Sequence, residues 1–120
     1  MLAISEAVKP QARCSAGAVR GYISVDGGPN GVANIGDQFT SAKPAIGAKF
    51  NCAGAAPQAR RVNVGVYEVR FPGNGTQVAT ASAGAAETTI ANVGGGVFRV
   101  NLWVPGRQDA IDTSFQVVAV

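Results

Sequence analysis

Twice in this chain a glycine opens an alternating run that closes at Pro-Gly. The first is Gly65-Val66-Tyr67-Glu68-Val69-Arg70-Phe71-Pro72-Gly73, and the second is Gly96-Val97-Phe98-Arg99-Val100-Asn101-Leu102-Trp103-Val104-Pro105-Gly106. Successive side chains of a strand leave opposite faces of the sheet. Apolar and polar residues alternating with period two therefore mark a half-buried antiparallel strand. The two runs commit the chain to an all-β fold. In the first, Tyr67, Val69 and Phe71 share the core face, while Glu68 and Arg70 point outward to solvent. Neither run carries a catalytic group.

The rest of the chain reads as strands and turns around these two. Ala18–Val25 is a strand, followed by Asp26-Gly27-Gly28-Pro29-Asn30-Gly31, the densest turn signal present. It lacks the lysine and Ser/Thr of a phosphate-binding loop and the acidic ligands of a calcium loop, so it reads as turn chemistry. Val32–Ile35 and Gln38–Ser41 are candidate short edge strands, with Pro44 interrupting pairing, and Ile46–Cys52 is a further strand. Gln58–Val64 alternates, with Arg60, Val62 and Val64 on one face and Arg61 and Asn63 on the other, and Gly65 is a bend, a bulge or a hairpin tip. Pro72-Gly73-Asn74-Gly75 predicts a hairpin joining the Tyr67 strand to Gln77–Ser82. Asn74-Gly75-Thr76 is also an N-glycosylation sequon, which a turn Asn-Gly produces by chance. Glu87–Val93 and Val97–Val104 form a second hairpin around Gly94-Gly95-Gly96, and Ser114–Val120 closes the fold after a loop.

About seven to nine short strands with frequent turns predict an antiparallel β-sandwich or jelly roll. The two landmark strands suggest a repeated β-meander. The expected core is Val19, Ile23, Val25, Val62, Val64, Tyr67, Val69, Phe71, Phe98, Val100, Leu102, Phe115 and Val117. Residues 14–120 form the sandwich domain. Residues 1–13 are a short N-terminal arm or helix in which Leu2, Ile4 and Val8 are the apolar positions.

Charged residues make up only 14% of the 120, well below the ~25% of an ordinary soluble domain. Such a sparsely charged surface suits a secreted or assembled structural protein, although GC-rich codon usage would also raise Ala, Gly and Val. Ten Lys and Arg against seven Asp and Glu leave a net +3, scattered along the chain with Arg60-Arg61 the one adjacent arginine pair. Nucleic-acid binders cluster such charge among stacking aromatics, so no nucleic-acid partner is expected. Nor is membrane insertion, since no stretch approaches the ~20 apolar residues of a spanning helix. Met1–Lys9 lacks the regions of a signal peptide. That fits a mature or excised domain, or a virion component released by lysis. Cys14 and Cys52 are a possible disulfide, or else two buried thiols.

Val62–Phe71, Phe98–Val100 and Asp112–Val117 resemble strands of β-sandwich modules in secreted proteins of high-GC bacteria, and at the tips of phage tail fibres and collagen-like stalks. The resemblance covers about the C-terminal half of the chain. It implies an extracellular or virion-surface structural role and carries over no site residue.

No histidine is present, which excludes Ser-His-Asp and Cys-His machinery and histidine-ligated metals. With two cysteines there is no zinc set either, and no cofactor or metal is expected. Paired carboxylates remain formally available in Asp109 with Asp112, or Glu68 with a cross-sheet partner, but they read better as loop and strand positions. Leu102-Trp103-Val104 breaks the alternation, so one large side chain lies in a second layer, at a subunit interface or exposed to ligand. Val117-Val118-Ala119-Val120 is apolar on both faces and calls for cover on both. The expected function is a non-enzymatic structural or adhesive module, assembling with copies of itself or other subunits. Its contacts would be Trp103, Val104, Val118, Val120 and the Leu2, Ile4 and Val8 arm. The alternative is a secreted carbohydrate-binding module, with a glycan stacked on Trp103 and held by Arg99 or Arg107.

Overall fold

The apolar halves of the alternating runs meet between two sheets. The computed structural model describes residue 14 and residues 18–27 and 35–120. Among these residues there are eight strands and no helix: β1 (Gly21–Val25), β2 (Ile46–Asn51), β3 (Gln58–Asn63), β4 (Val66–Arg70), β5 (Ala79–Ser82), β6 (Glu87–Gly94), β7 (Val97–Trp103) and β8 (Phe115–Ala119). They form two four-stranded antiparallel sheets packed as a sandwich, sheet I in the order β2-β1-β8-β5 and sheet II in the order β3-β4-β7-β6.

Ile23, Val25, Ile46, Phe115, Val117 and Ala119 of sheet I face Ala59, Tyr67, Val69, Phe98, Val100 and Leu102 of sheet II, each no more than 3% exposed. Burial of each large side chain contributes roughly 1.5–3 kcal/mol. The Tyr67 and Phe115 rings meet across the core with centroids 5.0 Å apart. Phe71 closes one end against the backbone of Gly21, where a Cβ would stand 2.6 Å from the Phe71 ring. This close approach explains the glycine at the start of β1.

The two landmark strands are β4 and β7, and they pair with each other, Tyr67 opposite Val100 and Glu68 opposite Arg99. Each is also the second strand of a hairpin, β3-β4 or β6-β7. Gly65 is the tip of the first, with φ +65° and a carbonyl that accepts from Leu102 N–H at 2.8 Å. A Cβ there would lie 2.5 Å from the Leu102 oxygen. Only glycine tolerates both conditions.

Several expectations need correction. The predicted hairpin from the Tyr67 strand to Gln77–Ser82 does not form. Both edges of β4 are taken by β3 and β7, so the chain crosses from sheet II to sheet I and β5 pairs with β8. Asn74 and Thr76 are buried in this crossing, at 4% and 3% exposure. Asn74 Oδ1 accepts from Thr76 N–H, and Thr76 Oγ1 donates to the Val120 oxygen. Val19, Val62 and Val64 are not core, being 51%, 47% and 45% exposed. Val19 precedes β1, Val64 sits in the tip, and a register shift after Arg61 moves Val62 out of phase. In β3 the inward residue is Ala59, and Arg60 points outward. Gln38–Ser41 makes a single bridge, Thr40 to Ala59, and not a strand. The arm at residues 1–13, residues 32–34 of the candidate strand Val32–Ile35 and most of the 26–31 turn lie outside the described residues.

Candidate functional site

The inward positions of sheet II are filled by the core, so its chemistry lies on the outer face. There the register sets Arg60 of β3, Glu68 of β4 and Arg99 of β7 side by side. Glu68 was expected to be a solvated strand position; its side chain is instead 5% exposed. A carboxylate so buried needs partners for both oxygens. Arg60 donates from Nε and Nη2 to Oε1 at 2.9 and 2.6 Å. Arg99 donates from the same atoms to Oε2 at 3.2 and 2.7 Å. Hydrogen bonds from Arg99 and then Arg60 outweigh burial and hold the Glu68 carboxyl below its usual range.

A third arginine joins from the next row. Arg70 donates from Nε to Gln58 Oε1 at 2.6 Å, and its guanidinium carbon lies 4.0 Å from the Phe39 ring centroid. Arg60 stacks on the same ring at 4.6 Å. Phe39 reaches this position because Thr40 pairs with Ala59 along the free edge of β3. Sequence reasoning missed Phe39 and the partners of Glu68. The only signal was an acidic residue flanked by arginines two strands apart, and it needs the register to be seen.

Farther along β7 the same outward line carries Asn101 and Trp103. Trp103 is half-buried and outward while Leu102 is inward, which resolves the consecutive apolar run. The indole Nε1–H donates to Glu87 Oε2 at 2.9 Å, and Gly106 N–H donates to Glu87 Oε1 at 3.0 Å. These two bonds fix the ring and the following turn together. An open groove of about 400 Å³ lies against this ring, lined also by Val66, Asn101, Gln108 and Ala110. Val104 leaves the strand half-buried and closes the loop by donating its N–H to the Asp109 carbonyl. Arg107 is paired with Asp109, both largely exposed.

The carboxylates weighed for hydrolysis do not form a free pair. Asp112 accepts from Arg61 Nε and Nη2 at 3.2 and 2.9 Å, from Gly65 N–H at 2.9 Å and from Tyr67 Oη at 2.8 Å. Burial would raise its pKa, but these donors win and hold it below the ordinary value. Burial first, and then the Asp112 carboxylate, push the Tyr67 phenol well above its own. Asp112 thus ties the β3-β4 tip to the loop before β8. Among the described residues no group of three or more His, Cys, Asp or Glu is placed to hold a metal.

The remaining contact candidates lie elsewhere. Val118 is half-buried on the outer face of sheet I, between Tyr22 and Thr80, and Val120 is 44% exposed beyond it. The structure therefore divides the expected contact set between two opposite faces. Leu2, Ile4 and Val8 lie outside the described residues. Cys14 and Cys52 are joined by a disulfide, Cα atoms 5.3 Å apart, at the end of β2. No protein-family model, curated protein or solved structure matches this chain.

Proposed function

We propose that the chain is a non-enzymatic adhesive module of an extracellular or virion surface structure, binding carbohydrate in the groove beside Trp103. The observation that carries this reading is the outward Trp103 ring, fixed by Glu87, with the Asn101 and Gln108 amides lining the same groove. An aromatic face offers apolar contact to a sugar ring, and amides supply donors and acceptors for hydroxyls. The Cys14–Cys52 disulfide supports an oxidising compartment. Arg99 lies on the same outward line, whereas Arg107 is already paired with Asp109.

Affinity electrophoresis of the full chain through gels containing plant, bacterial and animal polysaccharides tests this reading. At least one polymer retards the wild type, and Trp103→Ala removes the retardation while circular dichroism stays native. Retardation unchanged by Trp103→Ala, or none at all, rejects it.

A second reading, assembly into a larger structure with copies of itself, is favoured by a different observation. Tyr22 is 41% exposed on the outer face of sheet I and stacks at 5.7 Å on Phe50, beside Val118. Light scattering with and without residues 1–9 tests it: a monomer in both forms rejects assembly.

A further inference from the structure

We infer that the ligand is an acidic polysaccharide, lying across the outer face of sheet II with a neutral ring on Trp103 and its carboxylates on Arg99 or Arg60. This rests on the reading of the Trp103 groove and names its ligand class. Two guanidinium groups, Arg60 and Arg99, bracket a single carboxylate, Glu68, and a third, Arg70, lies against Gln58 and the Phe39 ring that Arg60 also covers. One counterion cannot balance them, so a surplus of positive charge faces outward. Arg60 and Arg99 spend Nε and Nη2 on Glu68, and their Nη1 groups have no hydrogen-bond partner among the described residues. Their side chains are 38% and 46% exposed. Each of these two guanidinium groups is already oriented by a buried carboxylate and has donors left over, so each forms a preorganised site for an external carboxylate.

The charge is graded along the face. At the Trp103 end stands the carboxylate of Glu87, which disfavours an anion there. Arg99 lies four residues back along β7, roughly 13 Å at strand rise, and Arg60 two strands over, roughly 10 Å away. An extended oligosaccharide spans that distance and can place a neutral unit at one end and a uronic acid at the other. A polynucleotide fits worse. It carries a phosphate at every unit, so one would fall beside Glu87, and of the two aromatics on this face Phe39 is already covered by Arg60 and Arg70, where base stacking uses several open rings.

The experiment compares retention of the full chain by a copolymer of alternating neutral sugar and uronic acid units and by the same polymer after its carboxyls are reduced to alcohols. This first comparison needs no variant, so folding does not enter it. The expected result is about tenfold or more tighter binding to the acidic copolymer, the scale of one charged hydrogen bond. The difference shrinks as salt rises, and Arg99→Gln brings the ratio of the two affinities toward one. Equal retention by both polymers overturns the inference and leaves Trp103 as a neutral-sugar site. Retention by neither, or retention indifferent to Trp103→Ala, overturns the carbohydrate reading as well. A single-stranded DNA oligomer held as tightly as the acidic copolymer overturns the acidic-sugar assignment in favour of a general polyanion surface.

Discussion

The two sheets present similar inner faces and opposite outer ones. Sheet II carries a ladder of charge, Arg60–Glu68–Arg99, with Trp103 two rows beyond it along β7. Sheet I carries Phe50, Tyr22, Val118 and Thr80 in one row and Ser24, Gln116 and Ser82 in the next, with no charged side chain in either. Inner faces obey packing, which any apolar set of suitable volume satisfies. Outer faces are freer, so a difference between them is closer to use. The means of support differ as well. Sheet I is stapled at β2 by the Cys14–Cys52 disulfide, whereas sheet II is held on its outside by ion pairs around a buried carboxylate.

This contrast can be broken in four ways, the largest first. Loss of the disulfide, by Cys14→Ala with Cys52→Ala, removes a crosslink of sequence separation 38. In the chain-entropy model that costs about 4 kcal/mol. Calorimetry would show a fall in Tm of more than about 10 °C, and a fall of a degree or two would mean that sheet I does not depend on its staple. Glu68→Ala leaves Arg60 and Arg99 opposed across one strand without their counterion. The loss should reach about 2–3 kcal/mol, below the full value for a buried pair because both arginines are partly exposed. Denaturant melts would measure it, and a neutral result would show that the ladder is ornamental for stability.

Acid supplies the third test. Glu68 and Asp112 have folded pKa values below their ordinary ones. Their contribution is therefore complete above the unfolded carboxylate range, near pH 4–4.5, and is lost as pH falls below it. Stability should be level from pH 7 to about 5 and then drop, with amides of sheet II exchanging hydrogen before those of sheet I. The reverse order would reject the division of support. The smallest effect on stability is expected from Tyr22→Lys, within about 1 kcal/mol because the side chain is 41% exposed. If sheet I is the assembly face, the same change abolishes any dimer seen by light scattering. A dimer that survives it places the contact elsewhere.

Much of the inner surface was legible from alternation alone. Ile23, Val25, Tyr67, Val69, Phe98, Val100, Leu102, Phe115 and Val117 were all expected inside and are. What alternation does not carry is phase across an irregularity. A register shift in β3 turned Val62 outward. It does not carry pairing either. Pro72–Gly75 has the composition of a hairpin turn, yet the choice between a hairpin and a crossing depends on which edges of β4 remain free. That depends on strands distant in sequence. Ile35 and Ala45 are buried from loops, where no period marks them. At the candidate site, Trp103 declared itself by breaking a pattern. Glu68 did not, because an outward charge obeys the pattern whether water or two arginines surround it.

The buried turn at Asn74 bears on how the protein can be made. Asn74 Nδ2 donates to the Arg20 carbonyl at 3.5 Å, and its side chain is buried although its neighbours Gly73 and Gly75 are exposed. In a host that attaches sugars to Asn-Gly-Thr while the chain is still extended, glycosyl transfer and folding would compete for the same amide. A glycan attached first leaves no room for the crossing to close. Secretion from such a host should give a modified, misfolded fraction, and Asn74→Asp or a non-glycosylating host should remove it.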